Sequence, residues 1–191
     1  MSFCKQLILT IMIGAAPFLA AGAPPQIQSI SGENILTGQK ISVNSIGHKG
    51  LVAVFLSAHC PCSNSHLIEL QNLAQTYPEF VFVGIHSNAD EGFDVSKPYF
   101  QKAHLPFPVI QDTHQVWADR LRAFKTPHSF VFTADGKVVY QGGVSDSHEF
   151  ENSNRQYLRE ALADLHEGKP VRTPEGRTLG CAIARENSNV W

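Results

Sequence analysis

Two continuous apolar runs organise the hydropathy pattern of this chain. They read LVAVFL at 51–56 and FVFVGIH at 80–86, and each has the length and composition of a strand buried on both faces. A polar turn at 57–65 follows the first run, and apolar positions at helical spacing then continue to about residue 77. The pattern therefore predicts a strand, a turn, a helix over 66–77 and a second strand.

Weaker patterns extend this unit on both sides. Turn signals within 30–50 predict an N-terminal hairpin, and a short helix is predicted over 97–104. The stretch 105–110 contains two prolines, which cannot donate to a sheet ladder, so it is predicted to be an edge strand. A capped helix is expected over about 112–124.

The last third of the pattern closes the domain and leaves a tail. Apolar runs on either side of an Asp-Gly turn predict a hairpin over 129–141. An amphipathic helix is predicted over 149–168, because its leucines and alanines recur at 3.6-residue spacing. The remaining residues, 169–191, are polar except for 179–184, and this apolar patch is expected to dock onto the domain.

Composition and charge fit one globular domain with tails. The 191 residues are 43% hydrophobic, with 15 Lys and Arg against 17 Asp and Glu. The formal net charge of −2 leaves no strongly basic surface, so nucleic-acid binding is excluded as a function class.

The first residues are distinct from the domain. Residues 1–21 are predicted to be a cleaved export signal, because Lys5 precedes an apolar stretch that ends in small residues. The alternative is an uncleaved membrane anchor, for which the stretch is short. This places the domain at 22–168 and the tail at 169–191. The protein is expected to be periplasmic or secreted, with no membrane segment after cleavage.

The cysteines are the residues most suited to chemistry. Cys60 and Cys62, separated by Pro61, stand where the first strand meets the helix, and a helix N-terminus favours a thiolate. Without Cys4 in the signal, Cys181 in the tail is the third cysteine, and an odd number in an exported protein indicates a reactive thiol. We expect Cys60 to be the exposed nucleophile and Cys62 or Cys181 to be the resolving thiol. A disulfide across one residue would be strained and easily reduced.

The order of these elements resembles the thioredoxin fold, in its redoxin branch of AhpC/TSA, peroxiredoxin-like and TlpA-like proteins. Three segments carry the resemblance: FLSAHCPCSNS at 55–65, the stretch 105–143 with its Thr-Pro before a hairpin, and the last helix. It implies an α/β, three-layer thioredoxin-like fold with a central mixed sheet flanked by helices. The N-terminal hairpin would be an extension, and a C-terminal tail would follow.

The resemblance also implies an activity and roles for single residues. It indicates a thiol–disulfide oxidoreductase that needs no organic cofactor and acts on the thiols or disulfides of a protein substrate or redox partner. Pro127 is expected to be cis, with Thr126 facing Cys60, and both would align the substrate backbone. His59 stands where thioredoxins often carry tryptophan, and its imidazolium would stabilise the thiolate.

Two alternatives use the same region differently. Cys60, Cys62 and His128 would make a soft site for copper, and His128 follows the Thr-Pro as the histidine ligand of exported copper metallochaperones of this fold does. Those proteins have CxxxC, whereas this chain has CxC. A thiol peroxidase needs PxxxTxxC, but counting back from Cys60 gives Ser57 at the hydroxyl position and Ala53 at the proline.

Overall fold

A computed structural model describes residues 26–186, so the expected export signal lies outside the described residues. Within this range a mixed sheet of seven strands carries helices on both faces, and a two-stranded sheet lies at one end. The strands are β1 (Ser29–Asn34), β2 (Lys40–Asn44), β3 (Gly50–Leu56), β4 (Phe80–His86), β5 (Val109–Gln111), β6 (Lys125–Thr126), β7 (His128–Thr133), β8 (Val138–Gly142) and β9 (Cys181–Ala182). The helices are α1 (Pro61–Thr76), α2 (Phe93–Ala103), α3 (Val116–Arg120) and α4 (Tyr157–His166).

The strand order explains why the two apolar runs are continuous. The large sheet runs β2-β1-β5-β4-β3-β7-β8. Strand β3 pairs parallel with β4, with Leu51 opposite Val81, and antiparallel with β7, with Leu51 opposite Phe132. All residues of β3 are buried, because the strand has neighbours at both edges and packing on both faces.

Two apolar clusters lie on opposite faces of the sheet and make the three layers. One face is covered by α1, α2 and α4, and the other by α3, the residues before β1 and part of the tail. The alternation of β3 divides its side chains between them, with Val54 in the first cluster and Phe55 in the second. This confirms the α/β fold expected from the sequence, with its mixed sheet and N-terminal hairpin. Among residues 26–186, no helix combines the length and hydropathy needed to cross a bilayer.

The prediction of an edge strand over 105–110 is wrong. Strand β5 begins only at Val109, and it lies inside the sheet between β1 and β4. Pro106 and Pro108 precede the strand, so the missing N–H groups never enter the ladder.

The helices begin and end at other residues than the pattern predicts. Helix α1 starts at Pro61, five residues before the predicted start, since proline fits the first helical position. The helix expected over 112–124 is a 3₁₀ turn and the short α3, and Arg122 with φ of +52° stands where the helix would have continued. The helix expected over 149–168 is reduced to a 3₁₀ turn and α4.

The tail docks on the domain, as expected from its apolar patch. At one end it runs beside β8, where the Gln141 N–H donates to the Pro174 carbonyl at 2.9 Å and the Gly176 N–H donates to the Gln141 carbonyl at 2.9 Å. Further along, β9 pairs antiparallel with β6. The boundary between domain and tail at residue 168 stays a prediction.

Candidate active site

Cys60 occupies the junction between β3 and α1. It is the residue immediately before the helix, in an extended conformation, and Pro61 is the first helical residue. The sulfur therefore lies at the N-terminus of a 16-residue helix, where unpaired N–H groups and the helix dipole favour an anion. Cys60 is only 2% exposed, so the expectation that it is the exposed nucleophile is wrong for this state. The tail covers it.

Three sulfurs converge at this junction. The Sγ atoms of Cys60, Cys62 and Cys181 all lie within 4.8 Å of one another, and all three cysteines are free thiols. Cys62 and Cys181 are both partly exposed. The three cysteines expected to carry the chemistry are therefore brought together by the strand-to-helix turn and the tail.

The surroundings give the three thiols different acidities. Burial raises the pKa of Cys60, but interactions with the neighbouring side chains of Cys181 and Thr126 outweigh it, so that this pKa lies below its ordinary value. Burial and the adjacent Cys60 sulfur raise the pKa of Cys62. The same two causes raise the pKa of Cys181 to about 12. A single negative charge in the cluster is therefore placed on Cys60.

The loop between α3 and β7 faces this sulfur. The Thr126–Pro127 peptide bond is cis, and both residues are buried. The Cys60 thiol donates a hydrogen bond to the Thr126 carbonyl oxygen at 3.1 Å. The residues expected to align a substrate backbone thus lie directly beside the candidate nucleophile.

The tail occupies the backbone edge next to the cis-proline. In the β6–β9 pairing, Thr126 lies opposite Cys181, and the Ile183 N–H donates to the Phe124 carbonyl at 2.9 Å. Ile183 is 5% exposed and belongs to the apolar cluster on the α3 face. Gly180 has φ of +146°, and a Cβ there would lie 1.9 Å from the Thr126 oxygen, so only glycine allows this close approach.

The last described residues hold the tail by exposed contacts. The Ala89 N–H donates to the Ala184 carbonyl at 3.1 Å. Arg185 forms an ion pair with Asp119 at 2.9 Å, and its guanidinium lies over the Phe124 ring. Partly exposed ion pairs of this kind contribute at most about 1 kcal/mol each.

A buried carboxylate, which the sequence analysis missed, holds the turn before Cys60. Glu91 is 3% exposed and accepts hydrogen bonds from the Ser57 hydroxyl and from the Ala58 N–H at 2.6 Å. The Ser57 oxygen in turn accepts from the Cys60 N–H at 3.0 Å. Ser57, the hydroxyl counted toward a peroxidase motif, is therefore engaged in holding the backbone of the turn.

His86 completes this network from the end of β4. Its Nε2 lies 2.9 Å from Glu91 Oε2, and both side chains are almost fully buried. Burial raises the pKa of Glu91, but hydrogen bonds from His86, Ser57 and Ala58 lower it to about 2. Nothing in the polar loop after β4 predicts that Glu91 is buried. The only feature of the sequence that points to this network is His86, a histidine at the end of a buried strand.

The histidines are arranged differently from the prediction. His59 is exposed, and among the described residues no hydrogen bond joins its imidazole to a sulfur, so its tuning role stays a prediction. His148, which the sequence analysis did not select, has its Nδ1 3.4 Å from Cys62 Sγ. His66 is buried, and its Nδ1 donates to the Cys62 carbonyl at 2.7 Å while its Nε2 lies 2.8 Å from Ser145 Oγ.

His128 lies beside the cluster without joining it. Within residues 26–186 the three cysteines form a group of possible metal ligands whose atoms lie within 4.8 Å, and His128 is not part of it. Its ring packs against Phe130 with a centroid distance of 4.5 Å, and burial lowers its pKa to about 4. The expected copper ligand set of Cys60, Cys62 and His128 is therefore not assembled.

A central strand that carries a cysteine to a helix N-terminus opposite a cis-proline defines the thioredoxin-like class of proteins. The chain belongs to the AhpC/TSA family, whose model matches residues 26–141. This confirms the redoxin resemblance found in the sequence. The matched range contains the CPC motif and the Thr-Pro pair, whereas Cys181 lies beyond it.

One sequence relative matches a little more than half of the chain. The chain is 30% identical over 110 residues to the thiol-disulfide oxidoreductase ResA of Bacillus thuringiensis (strain Al Hakam), across 56% of this chain and 61% of the relative. The match thus spans less than two thirds of that relative's length.

Two solved structures show the fold. An uncharacterized conserved protein from Geobacillus kaustophilus has a TM-score of 0.76 and 28% identity, over 86% of this chain and 92% of that one. A thioredoxin family thiol:disulfide interchange protein from Chlorobium tepidum TLS has a TM-score of 0.50 and 26% identity, over 64% and 87%. The first of these structures also extends over most of the length of this chain.

Proposed function

We propose that the protein is a thiol–disulfide oxidoreductase of the redoxin type that exchanges disulfides through Cys60. The observation that carries this proposal is a thiol of lowered pKa with two further sulfurs within 4.8 Å. Its similarity to the thiol-disulfide oxidoreductase ResA supports the same reaction class. The substrates are thiols or disulfides of proteins. The predicted signal at 1–21 supports a periplasmic or secreted location.

The reaction has two exchange steps. In the first, the Cys60 thiolate attacks one sulfur of a substrate disulfide, forms a mixed disulfide and releases the other substrate sulfur as a thiolate, which takes up a proton. In the second, a resolving thiol loses its proton and attacks the Cys60 sulfur, which releases the second substrate thiol. Two electrons pass from two protein thiols to the substrate disulfide. A dithiol reductant then reduces the disulfide between Cys60 and the resolving cysteine and restores both thiols of the protein.

Cys181 is the better placed resolving thiol. A disulfide between Cys60 and Cys62 would close across one residue at the start of a helix, which strains its geometry. Cys181 reaches the same sulfur from a separate strand. Its raised pKa keeps it protonated until the mixed disulfide has formed, so it does not compete for the substrate in the first step.

Substitution of each cysteine by serine tests this order. Cys60→Ser is expected to abolish turnover of a protein disulfide in the presence of a dithiol reductant. Cys181→Ser is expected to accumulate the mixed disulfide, observed by mass spectrometry, and Cys62→Ser is the matched control that does not. Turnover by Cys60→Ser at the rate of the parent protein would refute the proposal.

A second candidate function is binding of Cu(I), favoured by the three-sulfur cluster. Three thiolates bound at about 2.3 Å to one ion would stand about 4 Å apart, and the sulfurs here lie within 4.8 Å. Soft thiolates select Cu(I), and tetrahedral zinc would need a fourth ligand that this cluster lacks among the described residues. Cys60, Cys62 and Cys181 would hold the ion.

Anaerobic titration against a colorimetric Cu(I) chelator tests this candidate. The parent protein is expected to retain one equivalent, and Cys181→Ser to bind at least about tenfold more weakly because it lacks one ligand. His128→Ala is the control and is expected to bind like the parent. Equal affinity of Cys181→Ser and the parent would contradict the three-sulfur site.

A further inference from the structure

The docked tail, defined here as residues 180–186, closes the route to the candidate nucleophile. Cys60 is 2% exposed beneath the β6–β9 pairing. Exchange requires a substrate sulfur in direct contact with Cys60 Sγ. A protein disulfide therefore cannot react while Cys181 and Ala182 remain in place.

The edge beneath the docked tail is a strand-binding surface. Strand β6 pairs with β9, and the Phe124 carbonyl accepts from Ile183, so three consecutive residues, 124–126, present backbone groups along one line. When the tail leaves, these groups lose their partners. An unpaired edge of this kind accepts another extended polypeptide by strand addition.

We infer that the docked tail occupies the binding site of the substrate on β6. The substrate displaces the tail and pairs with β6 in the same register. This inference rests on the proposed function and names the substrate class: an extended polypeptide whose reactive cysteine takes the place of Cys181. The tail residues on either side of Cys181 define the sequence that such a substrate needs.

The position before the cysteine must be small. Gly180 lies so close to β6 that a Cβ would be 1.9 Å from the Thr126 carbonyl oxygen. A substrate in the same register meets the same obstacle. Ala182, after the cysteine, is exposed and therefore places no demand on the substrate side chain.

The second position after the cysteine must be aliphatic. Ile183 is 5% exposed and joins the apolar cluster that contains Ala118, Leu121 and Ala123. Loss of the tail leaves this site open for a side chain of the same kind, whereas a charged side chain would be buried there without a partner. The substrate pattern is thus glycine, cysteine, any residue, aliphatic residue.

Return of the tail would couple two events. Once Cys60 holds the substrate in a mixed disulfide, Cys181 attacks the Cys60 sulfur, the bond between Cys60 and the substrate breaks, and the substrate leaves as a thiol. The Cys60–Cys181 disulfide that forms holds the tail on β6. The return of the tail to β6 therefore both resolves the mixed disulfide and displaces the reduced substrate from this edge.

Peptide disulfides with a chromogenic leaving group test the register. The probe is Thr-Leu-Gly-Cys-Ala-Ile-Ala with thionitrobenzoate on its cysteine, and release of thionitrobenzoate is followed with the reduced Cys62→Ser/Cys181→Ser double variant. Replacing the isoleucine of the peptide by aspartate is expected to slow release at least about tenfold, since burial of one aliphatic side chain is worth that factor or more. Replacing its glycine by valine is expected to slow release as well, because the side chain would collide with the Thr126 carbonyl.

Two outcomes separate the inference from the proposed function. Failure of Cys60 to react even with the small symmetrical disulfide of thionitrobenzoate would refute the proposed function. Reaction with that reagent, together with equal rates for the three peptides, would overturn the inference alone.

A variant in the tail tests displacement. Ile183→Ser loosens the docked tail, so Cys60 is expected to react with the unsubstituted peptide severalfold faster. Ile46→Ser, at a side chain 81% exposed, is expected to leave this rate unchanged. Unchanged or slower capture by folded Ile183→Ser protein would contradict displacement. Should Ile183→Ser fail to fold, the peptide Thr-Leu-Gly-Ser-Ala-Ile-Ala, added in excess to the double variant, must slow capture of the probe; no inhibition would also overturn the inference.

Discussion

The two halves of the cysteine cluster are held in place in different ways. The cysteine turn, residues 57–62, is fixed from inside the domain, because buried Glu91 accepts hydrogen bonds from its Ser57 hydroxyl and Ala58 N–H. The docked tail is fixed from outside, by a two-residue strand pairing, flanking backbone hydrogen bonds, one buried isoleucine and the partly exposed ion pair of Arg185.

The position of Cys60 and the access of a partner to it are therefore controlled by different parts of the chain. The turn sets where the nucleophile stands, whereas the pKa of Cys60 is lowered by both halves, through Cys181 of the tail and through Thr126 and the Ser63 backbone of the domain. The tail determines whether a partner reaches that nucleophile. Segments with few buried contacts and short ladders open at a lower free energy than the core, so the tail is expected to open while the turn stays intact.

The largest effect is expected when the inner half is broken. Glu91→Gln should lower the free energy of unfolding by roughly 2–3 kcal/mol, because it removes a buried charged acceptor of several hydrogen bonds. Urea unfolding at pH 7 measures this, with Glu151→Gln, at an exposed position, as the control. A loss no larger than that of the control would mean that Glu91 does not hold the turn.

The same variant has a defined pH dependence. The pKa of Glu91 is lowered to about 2 in the folded protein, against about 4.3 in an unfolded chain. Its stabilising contribution is therefore complete above about pH 5 and is lost as the pH falls toward 2. The difference in unfolding free energy between parent and Glu91→Gln should shrink over this range, and a constant difference would contradict the pKa assignment.

The next effect is expected when the outer half is released. Gly180→Ala places a Cβ against the Thr126 carbonyl and should free the tail, so that iodoacetamide alkylates Cys60 about tenfold faster, close to the rate of an uncovered thiol. Gly47→Ala is a matched control, since Gly47 also has positive φ but nothing lies within 4 Å of its Cβ position. Equal alkylation of Cys60 in both variants would show that the tail does not cover it.

A smaller effect sharpens the comparison within the cluster. The pKa of Cys60 is lowered and that of Cys62 is raised, so the alkylation rate of Cys60 should stop rising at a lower pH than that of Cys62. Site-resolved mass spectrometry over pH 6–10 gives both profiles (this range brackets the usual thiol pKa of about 8.5). Coincident profiles would mean that the helix terminus and its neighbours do not separate the two thiols.

The smallest effect is expected from the exposed ion pair of the tail. Asp119→Ala, which removes this pair but leaves the hydrogen bond from Arg185 to the Ala123 carbonyl, should raise the alkylation rate of Cys60 only about twofold, because a partly exposed ion pair contributes less than about 1 kcal/mol. Added salt should reduce the difference between variant and parent through screening. Lys97→Ala, at an exposed position on α2, serves as the control. A tenfold effect would place more of the docking energy in this pair than the geometry suggests.

Local patterns in the sequence predicted the sheet and the cysteine turn, because burial on both faces leaves a direct trace in composition. The run at 51–56 is β3 without its first residue, Gly50, and the run at 80–86 is the whole of β4. The proline rule failed at 105–110 because it was applied to residues that precede the strand. Local sequence cannot say which residue of a loop enters a ladder.

The site was predictable where its residues lie next to a turn or a proline, and unpredictable where they come from distant loops. Thr126 and Pro127 follow from the Thr-Pro pattern. Glu91 and His148 lie in polar loops whose burial and contacts depend on long-range packing. Cys60 looked exposed for the same reason, since its cover comes from the far end of the chain.

The place of β9 along the chain sets an order of events during biosynthesis. Every strand of the large sheet precedes Cys181 in the chain, so these strands are synthesised before the tail. The sulfur of Cys60 is therefore synthesised before its cover, and the part of its lowered pKa that Cys181 supplies comes only when the tail docks. In a newly made molecule Cys60 is exposed until the tail docks. The rate of tail docking therefore determines whether Cys60 is covered by its own chain before it reacts with another protein.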